Sequence, residues 1–90
     1  MMLREAGKLD EREIRDELRR ILRRLVANPG LDPHDDLNFA DGLAGWDSFK
    51  QVELLIEAQE RFEVELSAQA IESIETFGDL VAAFAPAEPL

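Results

Sequence analysis

The sequence predicts an all-α fold: a four-helix bundle with a long first loop and a short third helix. Three observations carry that expectation. Residues 10–27 and 48–62 repeat apolar side chains every three or four positions, the period of a helix with one buried face. Between them, residues 28–46 hold two prolines, three glycines and several aspartates, which rules out a regular element through most of that stretch. No run alternates long enough to make a sheet; Val64-Glu65-Leu66 does so over three residues and has no partner. Ninety residues suit one domain spanning 1–90, with a core at about 10–85 and little room for a deep substrate pocket.

The first helix takes Asp10 as its N-cap, with Glu13 at capping-box spacing. Ile14, Leu18, Ile21, Leu22 and Leu25 form its apolar stripe, and Asn28-Pro29-Gly30 stops it. The long loop carries Leu31, Leu37, Phe39, Leu43 and Trp46. A loop of that length survives in a small domain only when tied down, so these residues are expected to pack on the bundle. Phe39 to Leu43 can form one turn of helix. The second long helix starts at Ser48 behind an Asp47 cap. Val52, Leu55, Ile56 and Phe62 are expected in its core stripe, with Ala58 or Gln59 at the margin, and Glu53, Glu57 and Glu60 on a more exposed side. Ser67 caps a short third helix over 68–74, which brings Ile71 and Ile74 inward. Thr76, with Asp79 three residues on, caps a last helix whose face is Phe77, Leu80, Val81 and Phe84. The tail after residue 85 is expected to fray.

Charge narrows the function classes. The chain has 20 acidic and 10 basic residues, a formal net of -10, yet 46% of it is hydrophobic, so it should fold and stay soluble. Residues 1–27 hold eight bases and six acids, and residues 28–90 two bases and fourteen acids. Such a field disfavours nucleic acid and anionic membranes and favours basic protein surfaces. The basic cluster Arg19, Arg20, Arg23 and Arg24 reads first as cations favoured by a helix C-terminus. There is no cysteine, and His34 is a lone histidine in a Pro- and Asp-rich loop. Disulfides, thiolate metal sites and cysteine nucleophiles are thereby removed, and no metal-ligand spacing exists. No apolar run reaches membrane-spanning length, and charges in the first eight residues leave no signal-peptide core, so a cytoplasmic monomer is expected.

Nothing in the chain makes Ser48 a nucleophile. It lacks a histidine partner and a Gly-x-Ser-x-Gly elbow, and Asp47 is occupied in capping. No catalytic residue is identified. A serine at a helix start does lie beside free backbone N–H donors that suit a phosphate oxygen. On these grounds alone Ser48 is either an ordinary serine beside a cap or a modification site.

The surrounding residues carry a resemblance. Gly45-Trp46-Asp47-Ser48-Phe49, followed by Val52-Glu53-Leu54, resembles the attachment motif of acyl carrier proteins, usually Gly-Leu-Asp-Ser-Leu and then a helix with Val-Glu-Leu. Glu60-Arg61-Phe62-Glu63-Val64-Glu65-Leu66 is similar to the segment that ends the family's second helix, and Thr76-Phe77-Gly78-Asp79-Leu80-Val81 to its entry into the last. The resemblance covers about residues 12–84. It implies a covalent 4'-phosphopantetheine arm on Ser48, installed from coenzyme A by a phosphopantetheinyl transferase, with substrates riding as thioesters on the arm's thiol. It implies a carrier and not an enzyme. Partners would be that transferase, an acyl- or aminoacyl-loading ligase and downstream acyl-transferring enzymes, met through Asp47, Phe49, Val52, Glu53, Glu57 and Glu60. Trp46 and Phe49 stand where leucines are usual, and Lys50 sits where an acidic or small residue is common. These departures point away from housekeeping fatty-acid synthesis and toward a freestanding carrier of a specialised aminoacyl or polyketide-type pathway. The alternative is a helical interaction module of the same fold without an arm.

Overall fold

The structure, a computed structural model, describes residues 10–85. The nine residues before and the five after, with the expected frayed tail, lie outside it. Five helices follow in order: α1 (Glu11–Leu25), α2 (Phe39–Gly42), α3 (Ser48–Phe62), α4 (Ala68–Glu72) and α5 (Phe77–Phe84). The single turn α2 sits inside the long loop, so the other four are the predicted bundle and α4 is its short member. No strand occurs among the described residues; Asn38 and Thr76 make one isolated antiparallel bridge.

The helix starts follow from their caps. Asp10 and Glu13 form the reciprocal capping box of α1, and Thr76 and Asp79 that of α5. Asn38, Asp47 and Ser67 each accept one first-turn N–H through the side chain. Each such cap is worth about 0.5–2 kcal/mol against alanine. At the far ends of α1 and α3 the chain reverses through left-handed Ala27 (φ 56°) and Glu63 (φ 58°).

α1 packs on α3 and α5. Ile14, Leu18, Ile21 and Leu22 meet Leu54, Leu55, Ala58 and Phe62 of α3 and Phe77, Leu80, Val81 and Phe84 of α5 in one buried cluster. The Phe62 and Phe84 rings lie 5.2 Å apart at 52°. Each fully buried large side chain contributes about 1.5–3 kcal/mol. One assignment is corrected here. Val52 and Ile56 are not core residues; they are 51% and 52% exposed, and Leu54 takes the inward place. α3 carries apolar residues on more than one side, so its period alone does not choose the buried face.

The long loop is tied more thoroughly than its apolar residues foretell. Phe39 and Leu43 are buried, and Leu31, Leu37 and Trp46 pack against the core. Backbone bonds stitch the loop to the start of α5: Phe39 N–H to Glu75 O (3.1 Å), Phe77 N–H to Leu37 O (2.9 Å) and Gly78 N–H to Asp35 O (2.9 Å). A Cβ at Gly78 would stand 3.0 Å from that same Asp35 oxygen, so a larger residue would have to push the loop backbone away. Three arginines of α1 grip the loop from the other side. Arg15 Nη1 donates to Asp35 Oδ1 (2.6 Å), Arg23 Nε donates to Leu31 O (2.6 Å), and Arg19 Nε lies 3.7 Å from Asp32 Oδ1. The basic cluster is therefore no free cationic patch. Arg20 pairs with Glu17 and Arg24 with Glu57.

Candidate functional site

The loop delivers the chain to Ser48 through a tight turn. Gly45 adopts φ 76°, a left-handed conformation that glycine enters without strain. Trp46 then folds back: its ring stacks on Phe39 (centroids 5.3 Å apart, planes at 25°), and its Nε1–H donates to Gln51 Oε1 (3.1 Å). Asp47 is extended (φ -146°, ψ 179°), and its Oδ1 accepts from Lys50 N–H (2.9 Å). Asp47 O accepts from Gln51 N–H (3.1 Å). Ser48 is thus the first residue of a fifteen-residue helix, and it is exposed.

Asp47 is committed to capping, as its position in the sequence foretells, and serves Ser48 as no base. The N–H groups of Ser48 and Phe49 precede the helix's hydrogen-bonded ladder and face no intrahelical acceptor. With the positive end of the helix dipole behind them, they suit an anion attached at Ser48. The serine hydroxyl makes no hydrogen bond among the described residues, whereas Ser67 Oγ accepts from Ala70 N–H (3.1 Å) and Ser73 Oγ donates to Ala70 O (2.9 Å). Residues present at the α3 start therefore fit a phosphopantetheine phosphodiester: an accessible hydroxyl and two N–H donors that have no acceptor among the described residues.

Beyond Ser48, Phe49 (70% exposed), Val52 and Ile56 form a bare apolar ridge along α3. Glu53 and Glu60 flank it exposed. Glu57, expected with them, is half-buried and held by Arg24 and by Arg61, whose Nη2 is 3.6 Å away; Arg61 Nη1 also reaches Glu17 (2.5 Å). The acidic side of α3 is thus two free carboxylates and one neutralised one. Sequence period could not reveal this, because Arg24 lies 33 residues from Glu57.

One further contact, between α1 and the long loop, has no warning in the sequence. Arg15 holds Asp35, and this guanidinium hydrogen bond keeps the Asp35 carboxyl below its ordinary range. Asp79 is likewise lowered, by the backbone N–H groups of Glu75 and Thr76. His34 is exposed, as expected. No group of three or more His, Cys, Asp or Glu able to hold a metal occurs among the described residues, and no described helix is long and apolar enough to cross a membrane.

Comparison with known proteins agrees with this geometry. Residues 12–84 match the family model for the phosphopantetheine attachment site. Among solved structures, a candidate acyl carrier protein from Mycobacterium tuberculosis is similar with a TM-score of 0.70 and 20% identity, over 78% of this chain and 92% of that one. At that identity the likeness concerns the fold.

Proposed function

The chain belongs to the phosphopantetheine attachment family, and from that premise we propose that it carries acyl or aminoacyl groups on an arm joined to Ser48. Domains of this family are covalent attachment sites for 4'-phosphopantetheine and act as carriers, generally without catalysis of their own. The observation that supports Ser48 is its exposed place at the capped start of α3, with its hydroxyl and two N–H groups unengaged.

Attachment divides the work between two proteins. Ser48 Oγ attacks the phosphorus of coenzyme A that bears the pantetheine. The new O–P bond forms as the pyrophosphate P–O bond breaks, 3',5'-ADP leaves, and a base of the transferase takes the serine proton. This chain contributes position: Asp47 fixes the first turn, the free N–H donors stabilise the phosphodiester, and Lys50 adds a nearby cation. The bound arm supplies the thiol that a chain without cysteine lacks. Phe49, Val52 and Ile56 offer partner enzymes an apolar seat, and Glu53 and Glu60 steer basic surfaces toward it. The partners are the phosphopantetheinyl transferase, a loading ligase and acyl-transferring enzymes, met in the cytoplasm by one folded domain.

The test is intact mass and peptide mapping after incubation with coenzyme A, magnesium and a broad-specificity transferase. One added group on Ser48 is the expected result, and Ser48→Ala should abolish it while the helical circular dichroism stays unchanged. A group on Ser67 or Ser73, or a folded protein left unmodified by several active transferases, overturns the carrier reading in favour of an interaction module without an arm.

A further inference from the structure

A cleft of about 390 Å³ opens between α2, the first turns of α3 and the α4–α5 turn. Phe39, Trp46 and Ile74 give it an apolar wall, and Asp41, Glu75 and Gln51 line it with polar groups. We propose that this cleft receives the end of an arm on Ser48 and favours a short carried group that bears an ammonium. The inference rests on the carrier reading and adds to it the chemical class of the cargo.

The cleft is built before any ligand arrives. The Phe39–Trp46 stack and the Trp46–Gln51 hydrogen bond fix the aromatic wall. The backbone that carries its acidic residues is tied as well. Asp41 rides on α2, whose cap Asn38 accepts its N–H (3.0 Å), and Glu75 O accepts from Phe39 N–H across the bridge that joins the two segments. Both carboxylates are exposed and make no ion pair or hydrogen bond among the described residues, whereas Asp32 and Asp35 are held by arginines. No cationic side chain lines the cleft. An ammonium brought there meets aromatic faces and two unpaired carboxylates, each attractive to it. Gln51 Oε1 already holds the indole N–H, which leaves its amide N–H groups to donate to a carbonyl beside the ammonium.

Position matches the use. Trp46 stands two residues before Ser48 and Gln51 three after it, so an arm on Ser48 reaches the cleft by folding back over one turn of α3. A long acyl chain fits poorly. It would have to pass between two carboxylates at the cost of their hydration, and beneath the wall Phe39, Leu54 and Phe77 already fill the core. An aminoacyl group is small enough and carries the right charge.

The experiment loads Ser48 with arms ending in a glycyl, an acetyl or an octanoyl group, each in non-hydrolysable amide linkage, and confirms loading by mass. The readouts are the indole N–H resonance of Trp46, the only tryptophan, and the quenching of its fluorescence by acrylamide. The glycyl arm should move the indole resonance and lower the quenching constant about twofold, while the acetyl and octanoyl arms should resemble the bare arm. Asp41→Asn combined with Glu75→Gln should erase the glycyl effect and leave loading intact. Equal glycyl and acetyl signals overturn the inference, and a larger octanoyl response assigns the cleft to acyl chains instead. Both of those outcomes leave the carrier reading standing, whereas failure of every arm to attach at Ser48 removes both.

Discussion

Along α1, Arg15, Arg19 and Arg23 follow one another at four-residue intervals, and each ends on the loop between Leu31 and Asp35. Along α3, Phe49, Val52 and Ile56 follow at intervals of three and four and are left exposed. The two stripes are geometrically alike and are used in opposite ways. The arginine stripe is turned on the 13-residue loop before α2, a segment whose ordering costs conformational entropy. The apolar stripe is left unconsumed beside Ser48. A carrier needs both: a rigid approach to one serine, and a surface that many enzymes can cover briefly.

The largest expected effect separates the inner and outer sides of α3 itself. Phe62 is 2% exposed and packs on Phe84, so Phe62→Ala should cost about 3–5 kcal/mol and sharply lower the urea midpoint. Ile56→Ala, next to buried Leu55 but itself half exposed, should cost no more than about 0.5 kcal/mol, as exposed substitutions do. The same Ile56→Ala variant should slow modification by the transferase, where a buried role would leave no separate kinetic trace. Equal destabilisation by the two variants would mean that the ridge belongs to the core after all.

A smaller effect probes the loop. Arg15 holds the Asp35 carboxyl below its ordinary range, and the backbone donors of Glu75 and Thr76 do the same for Asp79. A carboxyl depressed in the folded state contributes stability above its unfolded pKa and loses it as pH falls through the folded value. The unfolding midpoint should therefore stay level from neutrality to about pH 5 and fall below about pH 4. Asp35→Ala should be less stable than the parent at neutral pH, and the gap should close in strong acid. A gap that is constant with pH would show that the Arg15–Asp35 contact, exposed as it is, adds nothing beyond packing.

How much of this was legible in the sequence depends on the range of the interaction. All five helix starts are local events, set by Asp10, Asn38, Asp47, Ser67 and Thr76 within three residues, and four of those caps can be read directly; Asn38 escaped because its helix is a single turn. Ser48 was singled out through its immediate neighbours, and it stands exposed at the first position of α3. The inner face of α3 was not legible, because the helix has two apolar sides, Leu54 and Leu55 on one and Phe49, Val52 and Ile56 on the other, and period cannot rank them. Arg19 and Arg24 were read as helix-end cations because their partners, Asp32 and Glu57, lie 13 and 33 residues away and only the folded chain brings them in.

The smallest effect tests that last point. A stripe of Glu53, Glu57 and Glu60 in the sequence suggests three equal contributors to docking on basic partners. In the folded chain Glu57 is shared between Arg24 and Arg61, while Glu53 and Glu60 stay exposed. A carboxylate already neutralised by two guanidinium groups projects little net field, and steering acts through net field. Glu53→Gln should thus reduce the association rate with the transferase at low ionic strength, by about twofold or threefold, and the loss should shrink as salt screens it. Glu57→Gln removes one negative charge but also releases Arg24, while Arg61 keeps Glu17. Its effect on association should be no larger than that of Glu53→Gln, and it should be accompanied by a small loss of stability that Glu53→Gln lacks, because only Glu57 bridges α1 and α3. Stopped-flow association at two salt concentrations, with a urea titration of each variant, reads both quantities. If Glu57→Gln slows association more than Glu53→Gln while leaving stability unchanged, Glu57 meets partners directly and its pairing with Arg24 and Arg61 gives way when they dock.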